Sequence, residues 1–303
     1  DAADITIHIP KYIPSNIFKL AVSTSEDVLV LLGSDNQNKL YINRWLYGDN
    51  FNKVLNSWST FTFNSNRKIL GASFIDTDLY LIIATGNGTT LEKIPFEADY
   101  REANADFEYH LDHKVTEATS GVSVAFNSSS NITTWTLPYK TYGTMAVIGR
   151  YLAANETSTY VSAANQSATN LKPGQSIVAT TTNTNGSTNT ITATGDYRLS
   201  KVIIGEQFEM HYRFSLQRLT DGSAARTNGS EYIGGRLQIH HFYVKYEDTG
   251  SFKVEVTPEN RSTSTYDFTG KILGSSSIGN ASLETGTFRF PVLSRADRVN
   301  VDI

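Results

Sequence analysis

Residues Asp27 to Leu40 read DVLVLLGSDNQNKL, and Asp78 to Leu91 read DLYLIIATGNGTTL. The two strings align without a gap at an offset of 51 residues. Val28–Leu32 matches Leu79–Ile83, a continuously apolar run of the kind expected for a strand buried on both faces. The turn at Asp35–Asn36 matches Gly86–Asn87, and Leu40 matches Leu91. Upstream of the runs, Phe18 and Ala21 match Ile69 and Ala72.

Working outward, Lys39–Tyr47 and Ser57–Phe63 (SWSTFTF) complete a series of short strands over residues 17–96. A period near 50 residues with three or four strands per unit is the pattern of propeller blades. Blades bury their faces on one another and are not stable singly. Two copies cannot close a ring, so the expected arrangement is an incomplete propeller over residues 1–110, its other blades upstream, with a coincidental likeness of two adjacent meanders as the alternative.

The texture then changes. Residues 111–198 are rich in Thr, Ser and Asn, and Ala153–Asp196 approaches low complexity. Pro173–Gly174 and Asn185–Gly186 are turn signals, so this part reads as long hairpins or loops, with disorder as the alternative. From residue 199 strands return: Lys201–Phe214, Arg236–Glu247 and Phe288–Val292, with turns at Asp221–Gly222, Asn228–Gly229 and Thr249–Gly250. In Arg236–Glu247 strict alternation puts Leu237, Ile239, His241, Tyr243 and Lys245 on one face. Residues 199–303 are therefore expected to form an antiparallel β-sandwich-like domain, and the whole chain to be all-β.

Composition narrows the function classes. The 303 residues contain no cysteine, which excludes a disulfide framework and thiolate metal sites. Charged residues are 18%, below the roughly 25% of ordinary soluble domains, and a net charge of −4 argues against a dedicated nucleic-acid binder. Apolar runs fall far short of the ~20 residues that span a bilayer. The chain opens at Asp1 and closes on RVNVDI, a strand in progress, so a piece of a longer polypeptide is expected.

No nucleotide-binding loop, zinc-protease, nucleophile-elbow or EF-hand motif is present. Gly86-Asn87-Gly88 lacks the third glycine of a dinucleotide fingerprint. His110 and His113 share a face only in a helix, and His240 and His241 oppose each other in a strand. Asp76 with Asp78, and Asp106 with Glu108, are carboxylate pairs of the sort glycan hydrolysis requires, but such pairs are common on solvated faces. The sequons at Asn87, Asn131 and Asn155 are expected by chance in so Asn- and Thr-rich a chain. Arg289, Arg295 and Arg298, interleaved with Asp297 and Asp302, read as a solvated face or subunit contact. No residue is assigned a catalytic, cofactor-binding or metal-ligating role.

Four segments carry a resemblance: HIPKYIP at His8–Pro14 with FKL at Phe18–Leu20; SWSTFTF at Ser57–Phe63; GRLQIHHFYVKYEDTGSFKVEV at Gly235–Val256; and TGTFRFPV at Thr285–Val292. In content and order they resemble the C-terminal part of the tail tubular protein B, or tail nozzle, family of autographivirus-type short-tailed phages. The likeness is weakest over Glu117–Asp196. It implies a structural protein of the virion tail, made in the host cytoplasm, with a propeller-containing all-β build and no cofactor. It further implies a subunit of a six-fold ring that forms the conduit for DNA ejection. The partners implied are its own copies, the tail tubular protein A (adaptor) ring, tail fibre proteins and DNA in transit. A tail-borne polysaccharide or peptidoglycan hydrolase and a surface-glycan-binding module are the alternatives.

Overall fold

The computed structural model describes residues 9, 11–47, 53–97, 100–102, 105, 107–152, 171–177, 179–181, 186–217, 237–270 and 283–303, with the side chains of 53–55 excepted. Asp106, Asn155, Asn185, Asp221–Gly222 and Asn228–Gly229 lie outside the described residues. The chain is all-β, with several antiparallel sheets. It divides into two compact units, Asp1–Leu171 with Ser176–Gln207, and Lys172–Gln175 with Phe208–Ile303.

The first unit opens with the repeat. Strands β1 (Ile17–Ser23), β2 (Val28–Gly33), β3 (Lys39–Tyr47) and β4 (Lys53–Thr62) form one antiparallel meander. Strands β5 (Lys68–Ile75), β6 (Asp78–Thr85) and β7 (Gly88–Pro95) form a second. Alternation along each apolar run sends Val28, Val30 and Leu32, and equally Leu79, Leu81 and Ile83, into one shared core with Leu40, Ile42, Ile69, Ala72 and Phe96. Among the described residues these sheets do not close into a propeller.

The gapless alignment fails at one point. Leu40 pairs with Leu32, whose counterpart Ile83 pairs with Thr90, while Leu91 pairs with Ile82. The second hairpin reaches its return strand one residue sooner, and a one-residue slip exchanges faces. Leu40 is fully buried; Leu91 is 70% exposed. The second meander also has no counterpart of β4, because Asp112–Thr116 joins another sheet.

That sheet begins the middle lobe. Strands β8 (Asp112–Thr116), β11 (Met145–Gly149), β12 (Ser176–Ile177) and β15 (Val202–Glu206) lie in the order β12-β11-β15-β8. Facing them are β9 (Ser123–Asn127), β10 (Ile132–Thr136), β13 (Thr180–Thr181) and β14 (Thr190–Thr194), ordered β13-β14-β10-β9. Trp135, Met145, Val147, Ile191, Val202 and Ile204 fill the space between. Tyr109 and Leu111 cover Ala146 and Ile203 on the back, so every residue of β15 is buried.

The second unit packs β16 (Gln238–Thr249) and β19 (Glu284–Arg295), a two-stranded ribbon, on β17 (Ser251–Pro258), β18 (Ser264–Thr269) and β20 (Val299–Asp302). Val254, Val256, Phe290, Val292, Val299 and Val301 form its core. Tyr212 and Phe214 bond to Ile303 and Val301, extending the β20 edge. The alternation expected along Arg236–Glu247 breaks near His241. Phe242, Val244 and Ile239 pack on the core, whereas His241, Tyr243 and Lys245 are exposed. The cause is an irregularity in register between Ile239 and His241, where β19 carries the extra residue and Leu293 takes φ +49°.

Candidate functional site

Among the described residues, the densest polar chemistry lies where the loop before β5, the β6–β7 hairpin and the middle lobe meet. Arg67 is 2% exposed. Its Nη2 donates to Glu206 Oε2 at 2.9 Å and to His113 Nδ1 at 2.6 Å, and its Nη1 lies 3.7 Å from Glu92 Oε2. A buried charge needs such compensation, since desolvation is costly unless the charge is paired and hydrogen-bonded.

Local structure delivers each partner. Glu206 ends β15, and Gly143 lies beside it, where a Cβ would collide with the carboxylate. His113 sits in a bulge: β8 carries the extra residue between Val115 and Asp112 as it pairs with Ile204 and Glu206. At φ +54° it is left-handed, a conformation that is uncommon outside glycine and clusters at constrained sites. The bulge turns its ring onto Tyr139, stacked at 3.8 Å between centroids. Tyr139 Oη in turn donates to the His113 carbonyl at 2.8 Å.

Because Arg67 can only donate, His113 Nδ1 accepts, and the ring proton sits on Nε2, 3.6 Å from Glu92 Oε1. Burial, and then the Arg67 charge, push the imidazole down to about 3. It is neutral throughout the physiological range. Burial pushes Glu206 up, with Arg67 pulling the other way, and burial likewise raises Asp112.

A second set of bonds lies beside the first. Asn87, at the tip of the β6–β7 turn, donates through Nδ2 to Tyr142 Oη at 2.6 Å and to the Gly186 carbonyl at 2.8 Å. Asn64 Nδ2 donates to the Tyr142 carbonyl at 2.6 Å. Gly186 at φ +79° packs so closely on the Tyr142 ring that no side chain fits. At the far end of the middle lobe, Glu117 accepts from Arg150 Nε at 3.1 Å and from the Val202 amide at 2.9 Å. Burial alone raises its carboxyl, but these bonds outweigh it and leave the group below its ordinary value.

The residues singled out in the sequence are scattered by comparison. His113 belongs to the hub, but His110 is exposed and apart from it. His240 and His241 are both exposed. Asp76 holds a left-handed turn, and Asp78 is bound to Lys93 at 2.7 Å. Glu108 is exposed. Asn87 is a structural donor rather than part of a phosphate loop. Arg295 pairs with Asp297, Arg298 lies 3.5 Å from Glu259, and Arg289 rests over the Tyr243 ring at 5.6 Å. Asp302 accepts from Arg213 and His211.

Among the described residues no group of three or more His, Asp or Glu is placed to hold a metal ion. Nor is any helix there long and apolar enough to cross a membrane. Arg67, Glu92, Glu206, Tyr139 and Tyr142 escaped the sequence reading. One signal was available: Glu206 closes an apolar run, VIIGE, and a charge on a strand buried throughout demands a buried partner.

Two comparisons with known proteins bear on this arrangement. A family described as bacteriophage nozzle protein matches residues 1–303. The tail tubular protein gp12 of Escherichia phage T7 is 28% identical over 304 residues, which is 98% of this chain and 35% of that protein. The chain thus spans about a third of the length of the curated relative it matches.

Proposed function

The chain belongs to the bacteriophage nozzle protein family, and from that premise we propose that it is part of a structural protein of the phage tail, a subunit of the nozzle through which DNA is ejected. The match over all of residues 1–303 carries this reading. The role is mechanical and not enzymatic: identical interfaces close a ring, six-fold in this reading, and the lumen lets DNA slide. Its partners are its own copies, the tail tubular protein A (adaptor) ring, tail fibre proteins and DNA in transit. Each phosphate contact made by Lys or Arg would retard passage, so the lumen is near neutral or acidic, in keeping with a chain of net charge −4.

In the same reading the two meanders are adjacent blades of a larger propeller. Their outward faces support it: Phe18, Leu20 and Val22 on one meander and Leu70, Ile82 and Leu91 on the other are all between 44% and 70% exposed. Such faces are what neighbouring blades would cover. The expected three-part organisation, 1–110, 111–198 and 199–303, is kept with its second boundary moved to follow Glu206, because the strand Val202–Glu206 pairs with β8 and β11.

Virions made without the protein should keep filled heads but lack the tail tip and fail to eject DNA. Normal tails and ejection in its absence would overturn the proposal. Release of reducing sugar or muropeptides by the purified protein would replace it with a hydrolase.

A further inference from the structure

We propose that the Arg67 hub is a catch between two bodies within the first unit, the double meander and the middle lobe, which separate and re-dock about it. The two bodies have distinct cores: no buried residue of the meander core is shared with the core around Trp135 and Val147. The chain passes between them once, from Phe96 to Asp112. Among the described residues, hydrogen bonds from three loop side chains, Asn64, Arg67 and Asn87, join them, ending on Tyr142, Gly186, His113 and Glu206.

A junction of this chemistry fixes position more than it adds cohesion. Buried ion pairs give little net stability against apolar packing of the same volume, yet they tolerate only one geometry. The charged groups that act on the buried Arg67, His113 and Glu206 come from both bodies, Glu92 from the double meander and Asp112 from the middle lobe. Packed cores are bistable rather than continuously deformable, and a polar seam between two cores is where rigid-body motion is expected.

The absence of cysteine makes the test clean. Spin labels at Ser65→Cys and Lys140→Cys report across the junction, and labels at Ser25→Cys and Ser59→Cys report within the double meander. In the parent both distance distributions should be narrow. Arg67→Met should broaden the first at least twofold and leave the second unchanged. An unchanged first pair, or broadening of both, would overturn the proposal.

Native-state hydrogen exchange of the unsubstituted chain supplies a reading that does not depend on a variant folding. Leu81 marks the core of the double meander and Val147 that of the middle lobe. The two cores should exchange at rates of their own. A single common rate for both cores would mean one cooperative body and would defeat the idea.

Discussion

The two meanders are near-copies that end differently. Both send three alternate residues of an apolar run into the same core, and both turn back at an Asn. In the first, the hairpin places Leu40 inside and β4 closes the sheet. In the second, a return strand that begins one residue sooner turns Leu91 outward, and the turn itself, through Asn87, reaches the middle lobe. The difference teaches that a repeated strand carries its core-facing residues with it, whereas its other face follows its surroundings (Leu31 is buried, its counterpart Ile82 exposed) and the turn decides what the next strand contributes.

The largest effect should come from the leucine pair. Leu40→Ala should cost about 2–5 kcal/mol in urea unfolding, as for a fully buried leucine. Leu91→Ala, at the position aligned with it, should stay within about 0.5 kcal/mol. Equal costs would restore the gapless alignment and break the comparison. In a chain extended to carry the further blades of the proposed propeller, a Leu91 cost rising toward that of Leu40 would sharpen it, because a neighbouring blade would then cover the second meander.

Acid should distinguish the meanders next. His113 takes a proton at pH 6.5 when unfolded but only near pH 3 in the hub. The unfolded state therefore binds more protons in that interval. The contribution is fully present above pH 6.5 and is lost as pH falls toward 3. Asp112 and Glu206, raised by burial, act in the opposite sense above their ordinary values. Both carboxyls remain in His113→Gln, so the difference between parent and variant isolates the imidazole. The parent should lose on the order of a few kcal/mol relative to the variant between pH 6.5 and 3. Hydrogen exchange should locate that loss at the hub and not in β1–β4. Parallel stability curves for the two chains would remove the imidazole from the account.

The smallest contrast is between the turns. Asn87→Ala leaves Tyr142 Oη and the Gly186 carbonyl short of a donor and should cost about 1–3 kcal/mol. Asn36→Ala, at the aligned and exposed position, should fall within about 0.5 kcal/mol, measured in the same urea titrations.

Much of the fold was legible in the strings themselves. Val28–Leu32 and Leu79–Ile83 announce strands because a short, continuously apolar run bounded by turn residues suits a buried strand. Turn length is subtler: the slip that exposes Leu91 depends on where the return strand starts pairing, which neither string states. The hub was illegible for a different reason. Arg67 meets His113 across 46 residues and Glu206 across 139, and no spacing rule connects such positions. His113 was noticed beside His110, but the bulge that aims it at Arg67 is a property of pairing with β15, not of its neighbours in sequence.

The ribbon of β16 and β19 holds two irregularities, one near His241, where β19 has the extra residue, and one after Tyr246, where β16 does. They cancel. Gln238 pairs with Arg295 and Thr249 with Glu284 on one count, while His241 to Tyr246 pair with Pro291 to Gly286 one step off it. The middle of the ribbon is thus in a gear of its own, engaged with the core through Phe242 and Phe290. Deleting the extra residue of one bulge would bring the adjoining end of the ribbon onto the register of the middle and leave the Phe242–Phe290 pairing in place.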